Sequence, residues 1–414
     1  MISAIKDFAG ETFSSLRVRN YRLYFIGQGI SMCGTWMQSI GQAWLVLKIT
    51  GSGTALGLVT ACQFLPVLVL GPMGGVITDR FSKRKLLYFT QTAFGLLAMI
   101  LGILVATNIV RLWMIYILAS CFGLLSAIDN PTRQSFVYEM VGSRFLRNAV
   151  TLNSTAINLA RVIGPAIAGV LIAGAGLASC FIINSLSYLA VLTSLFMMRN
   201  EELNPAKPIH EMKGQLRKGF SYIRKTPVIR DVLIMMAIIG TLSYEFQVSL
   251  PLLAKFTFHG NAASFAMLTS AMGMGAVLGG LFSASQSKTR PVWVAWASLA
   301  FGVAILTVSI SPSLAFAGIA MVAVGIFSIG FTSLGNTTLQ LECEPEMRGR
   351  VMALWSVAFM GSTPIGGPII GWVGEHASPR WSLVVGGAAA LTAGIYGMIN
   401  LKKAQPKGIT VPAV

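Results

Sequence analysis

Residues 54–85 read TALGLVTACQFLPVLVLGPMGGVITDRFSKRK, and residues 262–288 read AASFAMLTSAMGMGAVLGGLFSASQSK. Each is an apolar run of bilayer-spanning length that closes on a glycine pair, Gly74-Gly75 and Gly279-Gly280. Ser82-Lys83 and Ser287-Lys288 follow the pairs at equal distance, which sets an internal repeat at an offset of about 205 residues. A second marker keeps the register. Asn130-Pro-Thr-Arg-Gln134 recurs as Asn336-Thr-Thr-Leu-Gln340, and Gly164-Pro165 answers Gly367-Pro368. In lipid a spanning segment must satisfy its own backbone hydrogen bonds, so runs of this length read as helices. A repeated set of such helices is the architecture of a secondary carrier that handles its substrate between two halves.

Working outward from that pair, windows of roughly 20 apolar residues place spans at 21–47, 54–77, 86–107, 111–130, 148–173, 178–198, 231–253, 262–285, 291–310, 313–335, 351–373 and 381–401. The chain is 54% hydrophobic and only 11% charged, with a mean hydropathy of +0.71, whereas soluble domains carry roughly 25% charge. The expected fold is an all-α integral membrane protein of twelve transmembrane helices in two pseudo-symmetric six-helix bundles, 1–198 and 231–414. The link 199–230 is expected to lie in the cytoplasm. Within it Met212, Leu216, Phe220 and Ile223 recur at helical spacing among bases, which predicts an amphipathic helix on the inner leaflet.

A net charge of +17 could suggest nucleic acid, but its distribution argues for topology. Of the 31 Lys and Arg, 26 fall on the face that holds both termini. Four (Lys48, Arg111, Lys255, Arg380) fall on the other face, and Arg161 lies within a span. The positive-inside rule then puts both termini in the cytoplasm, with an attraction to anionic membrane lipid as a secondary effect. No basic cluster is interleaved with aromatics as a nucleic-acid surface would be. Residues 1–20 are mixed and charged, unlike a cleavable signal peptide. The five cysteines lack Cys-x-x-Cys spacing and the three histidines sit between spans, so no metal, cofactor or disulfide is expected.

Span 1 carries Gln28, Ser31, Thr35, Gln38 and Gln42 at spacings that put all five on one helical face. Glutamines facing lipid are costly, so this face is expected to meet a water-filled substrate cavity or a hydrogen-bonded partner helix. Span 10 has a similar stripe of Ser328, Thr332, Asn336 and Gln340, and Tyr244 of span 7 joins the cavity set. Nearly all 14 acids lie in tails or loops; Glu245 is the exception, well inside span 7. An acid there must be paired, protonated or facing water, which makes Glu245 the leading candidate for proton coupling. A structural bond from Glu245 to Arg161 or to backbone is the competing expectation. Asp129, at the end of span 4 and close to Arg133, is a second candidate whose expected role is structural. Arg161 must find an anion or carbonyls.

The stretch Gly75-Val-Ile-Thr-Asp79-Arg80-Phe-Ser-Lys83-Arg84 resembles the loop signature of the major facilitator superfamily, Gly-x-x-x-Asp-Arg-x-Gly-Arg/Lys-Arg/Lys, with Ser82 in place of the glycine. The resemblance implies that Asp79 latches the halves by meeting the N-terminus of helix 11, where the dipole favours an anion, in the outward-open state. Gly75, Arg80, Lys83 and Arg84 complete that set. The second copy has lost the acid, with Ala284 and Ser285 in its place. Gly164-Pro165 and Gly169 resemble the helix 5 signature of drug/proton antiporters, and Pro364, Gly367 and Pro368 repeat the device in span 11. Small residues there let helices approach and proline bends them. Gly34-Thr-Trp-Met-Gln38, Asp129-Asn-Pro-Thr-Arg133, the run Ala149 to Leu171 and Arg348-Gly-Arg350 resemble the enterobactin-exporter-like branch.

The resemblance implies a secondary active transporter in a bacterial inner membrane, exporting small amphipathic molecules such as drugs or siderophores. It is expected to work as a proton-coupled antiporter with a monomeric fold. Proton-coupled uptake of a small metabolite is the alternative. Span 4 departs from the antiporter pattern, with Ala119 and Ser120 where that group has an arginine. No Gly-x4-Gly-Lys-Ser/Thr loop supports ATP-driven pumping. A membrane-embedded enzyme would want clustered acids or a nucleophile–base pair, which the spans do not supply, and the two-fold repeat fits a carrier better than a channel.

Overall fold

The computed structural model describes residues 13–204, 222–284, 290–344 and 346–401. Among them every regular element is helical. The first three spans are α1 (Arg19–Thr50), α2 (Gly53–Arg80) and α3 (Lys83–Ala106). Leu112–Ala175 is helical except at Gly142, whose φ of 63° and ψ of −176° no helix contains, so it comprises α4 (112–141) and α5 (143–175). α6 is Leu177–Met197. α7 (Pro227–Thr257) is broken into Pro227–Leu242 and Phe246–Leu252, and ends in a π turn, Leu253–Thr257. Next come α8 (Ala262–Ala284), α9 (Val292–Ser309) and α10 (Leu314–Glu342). α11 (Arg348–His376) is likewise broken, into Arg348–Met360 and Thr363–His376, and α12 is Pro379–Leu401. These twelve helical stretches match the sequence reading in number and order.

Two junctions differ most from the sequence reading. α2 runs on to Arg80, so Asp79 and Arg80 are helical and only Phe81 and Ser82 separate α2 from α3. Ser82 sits at φ −57° and ψ 119°. That is an ordinary conformation for any L-residue, so the turn does not need the family's glycine. The expected loop between spans 4 and 5 is absent, because α4 and α5 meet at Gly142. Arg133 is therefore a helical residue, with only 24% of its side chain exposed, and Arg161 is not the sole base inside a helix. Of the expected amphipathic link helix, most lies outside the described residues; 222–225 are helical and Ile223 is buried.

The helices form two compact units. Among the described residues, unit 1 takes in everything up to Gly51, Leu58 to 204, and Gly260–Ser270. Unit 2 takes in Ser52–Gly57, 222 to His259, and everything from Ala271. In unit 1, α6 packs against α1 and α3, and α3 against α4. In unit 2, α12 packs against α7 and α9, and α9 against α10. The two sets of neighbours are the same under the sequence repeat.

The glycine pairs that revealed the repeat have a physical basis. A Cβ at Gly74 would run into the Ala127 carbonyl of α4, and one at Gly279 would meet Ile326 backbone of α10. Their partners differ: Gly75 has open space beside it, and Gly280 has only Ile329 at 3.9 Å. One glycine of each pair thus brings two helix backbones together.

The end of unit 1 near the α2–α3 turn is closed by a core of Tyr21, Tyr24, Leu87, Phe136, Met140 and Leu195. Basic and amide side chains cover the last carbonyls of α6. Arg19 Nη1 donates to Met197 O at 2.9 Å, Arg84 Nε to Leu195 O at 3.0 Å, and Asn20 exchanges bonds with the Arg199 backbone. Cations at a helix C-terminus face the negative end of its dipole, which gives these bases a structural role as well as a topological one.

Candidate functional site

The polar stripe of α1 divides into two parts. Thr35 Oγ1 donates to Ser31 O at 3.0 Å and lies 3.4 Å from Tyr188 Oη, and Asn184 Nδ2 donates to Gln38 Oε1 at 2.6 Å. Thr35 and Gln38 therefore bind α6 inside unit 1 instead of facing a cavity. Gln28 and Ser31 are 3% and 1% exposed, and among the described residues neither side chain has a hydrogen-bond partner. Gln28 lies in a shallow groove lined by Tyr21, Tyr24, Phe25, Met32 and Asn153. Gln42 is half-buried. Leaving a buried donor or acceptor unmade costs about 1–3 kcal/mol, so the inner half of the stripe is the strained half.

Asp129 is the opposite case. It is 1% exposed, accepts from Thr90 Oγ1 at 2.6 Å and Gln91 Nε2 at 2.8 Å on Oδ1, and pairs through Oδ2 with Arg133 one turn on. Both carboxylate oxygens are engaged, so the side chain joins α3 to α4. The signal in sequence was the adjacent Thr90 and Gln91 in an otherwise apolar span, which the sequence reading passed over. Lys83 also has a role beyond topology, because its Nζ meets Glu139 Oε1 of α4 at 2.7 Å with both side chains about 10% exposed. Arg84 reaches α6 as above, and Asp79 and Arg80 are exposed at the end of α2.

In unit 2, Glu245 occupies the break of α7. Its backbone (φ −80°, ψ 40°) leaves the helix, and its carbonyl accepts from Val248 N and Ser249 N at 3.0 Å each to start the next piece. The side chain is 3% exposed, and among the described residues Oε1 has no hydrogen-bond partner. Across from it lies α11, also just past its own break at Gly361 and Ser362. Thr363 approaches the carboxylate, and a Cβ on Gly366 would lie 3.0 Å from Oε1. The aromatic ring of Tyr244 packs edge-on to Phe359 at 5.0 Å and against Phe301 at 5.2 Å, and its hydroxyl donates to Ser328 O of α10 at 2.8 Å. Thus α7, α10 and α11 meet around residues 244–245. Asn336, two turns along α10 from Ser328, pairs with Gln340.

Arg161 lies over the Trp36 ring, 4.9 Å from its centroid, a cation–π placement. The helix keeps its conformation through Pro165, the break of this long stretch being at Gly142 instead. Gly164 approaches the Cys33 and Trp36 region of α1, and Gly169 approaches Ala263 and Ala266. Pro364 stands in the first turn of the second α11 piece, where proline's missing N–H costs nothing, and Pro368 lies inside it beside Gly367. Among the described residues no His, Cys, Asp or Glu side chains converge as metal ligands, and the five cysteines are free thiols.

A family model described as transmembrane secretion effector matches residues 10–408. The staphyloferrin A transporter of Staphylococcus aureus is 26% identical over 337 residues, covering 80% of this chain and 84% of that protein. The enterobactin exporter EntS of Citrobacter koseri is 23% identical, covering 92% and 91%. Among solved structures, a bacterial homologue of the human lysosomal transporter Spinster, inward-facing and occupied, superposes with a TM-score of 0.72 at 14% identity, over 94% of this chain and 97% of that one. A bacterial homologue of the iron transporter ferroportin, inward-facing, gives 0.71 at 14%, over 92% and 98%.

Proposed function

The chain belongs to the transmembrane secretion effector family of the major facilitator superfamily, and we propose that this multi-pass membrane transporter exports small amphipathic molecules by proton antiport. Export is supported by the enterobactin exporters among its relatives. Proton coupling is carried by one observation: Glu245 is buried, lacks a partner on Oε1, and sits at the break of α7 opposite the break of α11. Interrupted helices are where carriers place substrate and ion sites, because their ends expose backbone groups and tolerate movement. A carboxylate there binds a proton on one side of the membrane. It must release that proton on the other for substrate to be carried outward.

In this reading Gln28, Ser31, Gln42, Tyr244 and Asn336 meet substrate, and the unmade bonds of Gln28 and Ser31 support their place in the set. Thr35 and Gln38 shape α1 through α6. Asp79 with Gly75, Arg80, Lys83 and Arg84 forms the cytoplasmic latch, and the glycines and prolines of α5 and α11 are its hinges. Asp129 and Arg161 hold structure rather than move protons.

The test is Glu245→Gln in the full chain, reconstituted in vesicles with an imposed pH gradient and assayed with a panel of fluorescent amphipathic dyes. The change keeps shape but cannot titrate. Gradient-driven dye accumulation is expected to vanish, while binding and exchange down the dye's own gradient persist. Accumulation at the wild-type rate would remove Glu245 as the proton carrier.

A further inference from the structure

Among the described residues, Gln28 is the only buried side chain whose donor and acceptor are both unmade: neither Nε2 nor Oε1 has a hydrogen-bond partner. One turn along α1, on the same face, Ser31 Oγ is in the same condition. The polar side chains around them have settled on their own helices. Thr35 Oγ1 donates to Ser31 O at 3.0 Å, and on α5 Thr151, Thr155 and Asn158 donate to carbonyls one turn back at 3.0, 3.0 and 3.1 Å. Helical serine ordinarily does the same. Native folds rarely leave buried polar atoms unmade, and three on one helix face call for a partner from outside the chain.

The groove beside Gln28 is apolar apart from its amides. Tyr21, Tyr24, Phe25 and Met32 of α1 line it with Ala156 of α5, and Asn153 of α5 is its second amide. Tyr21 spends its hydroxyl on Ala149 O at 2.8 Å, and its ring lies 6.0 Å from that of Phe25. A Cβ on Gly29 would meet nothing within 4 Å, so that side of the groove is open. No acid or base lines it. Arg133 and Asp129, whose charges reach Tyr24, are paired with each other. All of these residues belong to unit 1.

A planar carboxamide presents an N–H donor and a carbonyl acceptor side by side. Its full complement is another carboxamide, which returns an acceptor and a donor. A carboxylate only accepts, and would meet Oε1 with no base in the groove to neutralise it; an ammonium only donates, and finds no acid. The aromatic and Met side chains favour a flat aromatic body. We propose that Gln28 recognises an uncharged carboxamide carried on an aromatic ring, and that this group selects among the molecules the chain binds. The proposal rests on the reading of the chain as a small-molecule carrier and narrows its substrate class.

The test is titration calorimetry of the full chain in lipid nanodiscs, with empty nanodiscs subtracted. The probes are 2-naphthamide, 2-naphthoate and methyl 2-naphthoate, which share one ring and differ in the group offered to Gln28. The parent is expected to bind the amide about tenfold more tightly than either of the others, because a site built for a donor–acceptor pair rejects a group lacking one member. Gln28→Met is expected to weaken the amide to the level of the ester while leaving the ester within twofold. Binding of none of the three by the parent, or equal binding of amide and ester, overturns the site. An amide preference that survives in Gln28→Met overturns Gln28 as its reader. Replacing an unmade buried amide by an apolar side chain of similar shape is neutral or stabilising, so Gln28→Met is expected to melt at or above the parent's temperature. A lower melting temperature means that the amide is bonded within the fold, and overturns the site as well. Binding is read without a gradient, so the carrier reading fails separately: a parent chain that moves no dye in vesicles yet keeps its amide preference overturns carriage and preserves the site.

Discussion

Two buried acids, Asp129 and Glu245, differ in what surrounds them, and that difference separates structure from coupling. Asp129 has a guanidinium, a hydroxyl and an amide on its two oxygens. Removing a proton acceptor so thoroughly engaged leaves the partner charge buried and alone, which costs about 3–5 kcal/mol. Asp129→Ala is therefore expected to lower the melting temperature of the purified protein markedly, because Arg133 loses its counter-charge inside the bundle. A melting temperature equal to the parent's would show that the pair does not hold α3 to α4. Glu245 has no such ring of donors, and its substitution is expected to act on coupling before stability. The sequence could nominate both acids from their depth in the chain. It ranked Glu245 first for coupling and read Asp129 as structural, but it did not show what holds Asp129, because Thr90 and Gln91 reach it from another helix, some 38 residues away along the chain.

At the scale of the element, the glycine pairs that exposed the repeat also predict which substitutions the helices tolerate. A side chain at Gly74 or Gly279 must displace backbone of the neighbouring helix, and overpacking of that kind costs about 1–3 kcal/mol or more. Gly74→Leu and Gly279→Leu are each expected to lower the folded yield in detergent, measured by size-exclusion chromatography, whereas Gly75→Ala leaves it near the parent's. Equal yields for all three would deny the close helix contacts. Helix number and order were legible because hydropathy and spacing are local properties. The breaks in α7 and α11 were not, since the few polar residues there, Ser243 and Glu245 in one and Ser362 and Thr363 in the other, do not end an apolar run of spanning length. The turn at Gly142 was missed for the opposite reason: the polar residues 131–147 look like a loop, yet Phe136, Met140 and Ala149 bury against α1 and α6 and keep the backbone helical on both sides. The split of the α1 stripe also needed α6, whose Asn184 and Tyr188 claim two of its five members.

For the whole molecule, the strongest constraint is the distribution of charge across the alternating turns. The sequence reading puts 26 of the 31 bases on one face, including Arg133, which the structure places within α4, and each base costs more to translocate than to leave inside. The structure gives several of them partners at that face: Lys83 on Glu139, and Arg19 and Arg84 on the end of α6. On the other face, Arg380 donates to Ser309 O at 2.7 Å and Ser311 O at 2.8 Å, covering the end of α9. A base on that face is thus bound to a helix end, which explains how it is tolerated against the overall bias. The orientation follows as a prediction. In cells expressing single-cysteine variants, an impermeant maleimide added outside is expected to label a cysteine at His259, which is exposed in the turn between α7 and α8. It is expected to miss one at Gln215, in the link between the halves, until the membrane is permeabilised. Strong outside labelling at 215 would invert the map, moving the turn between α2 and α3 to the outer face.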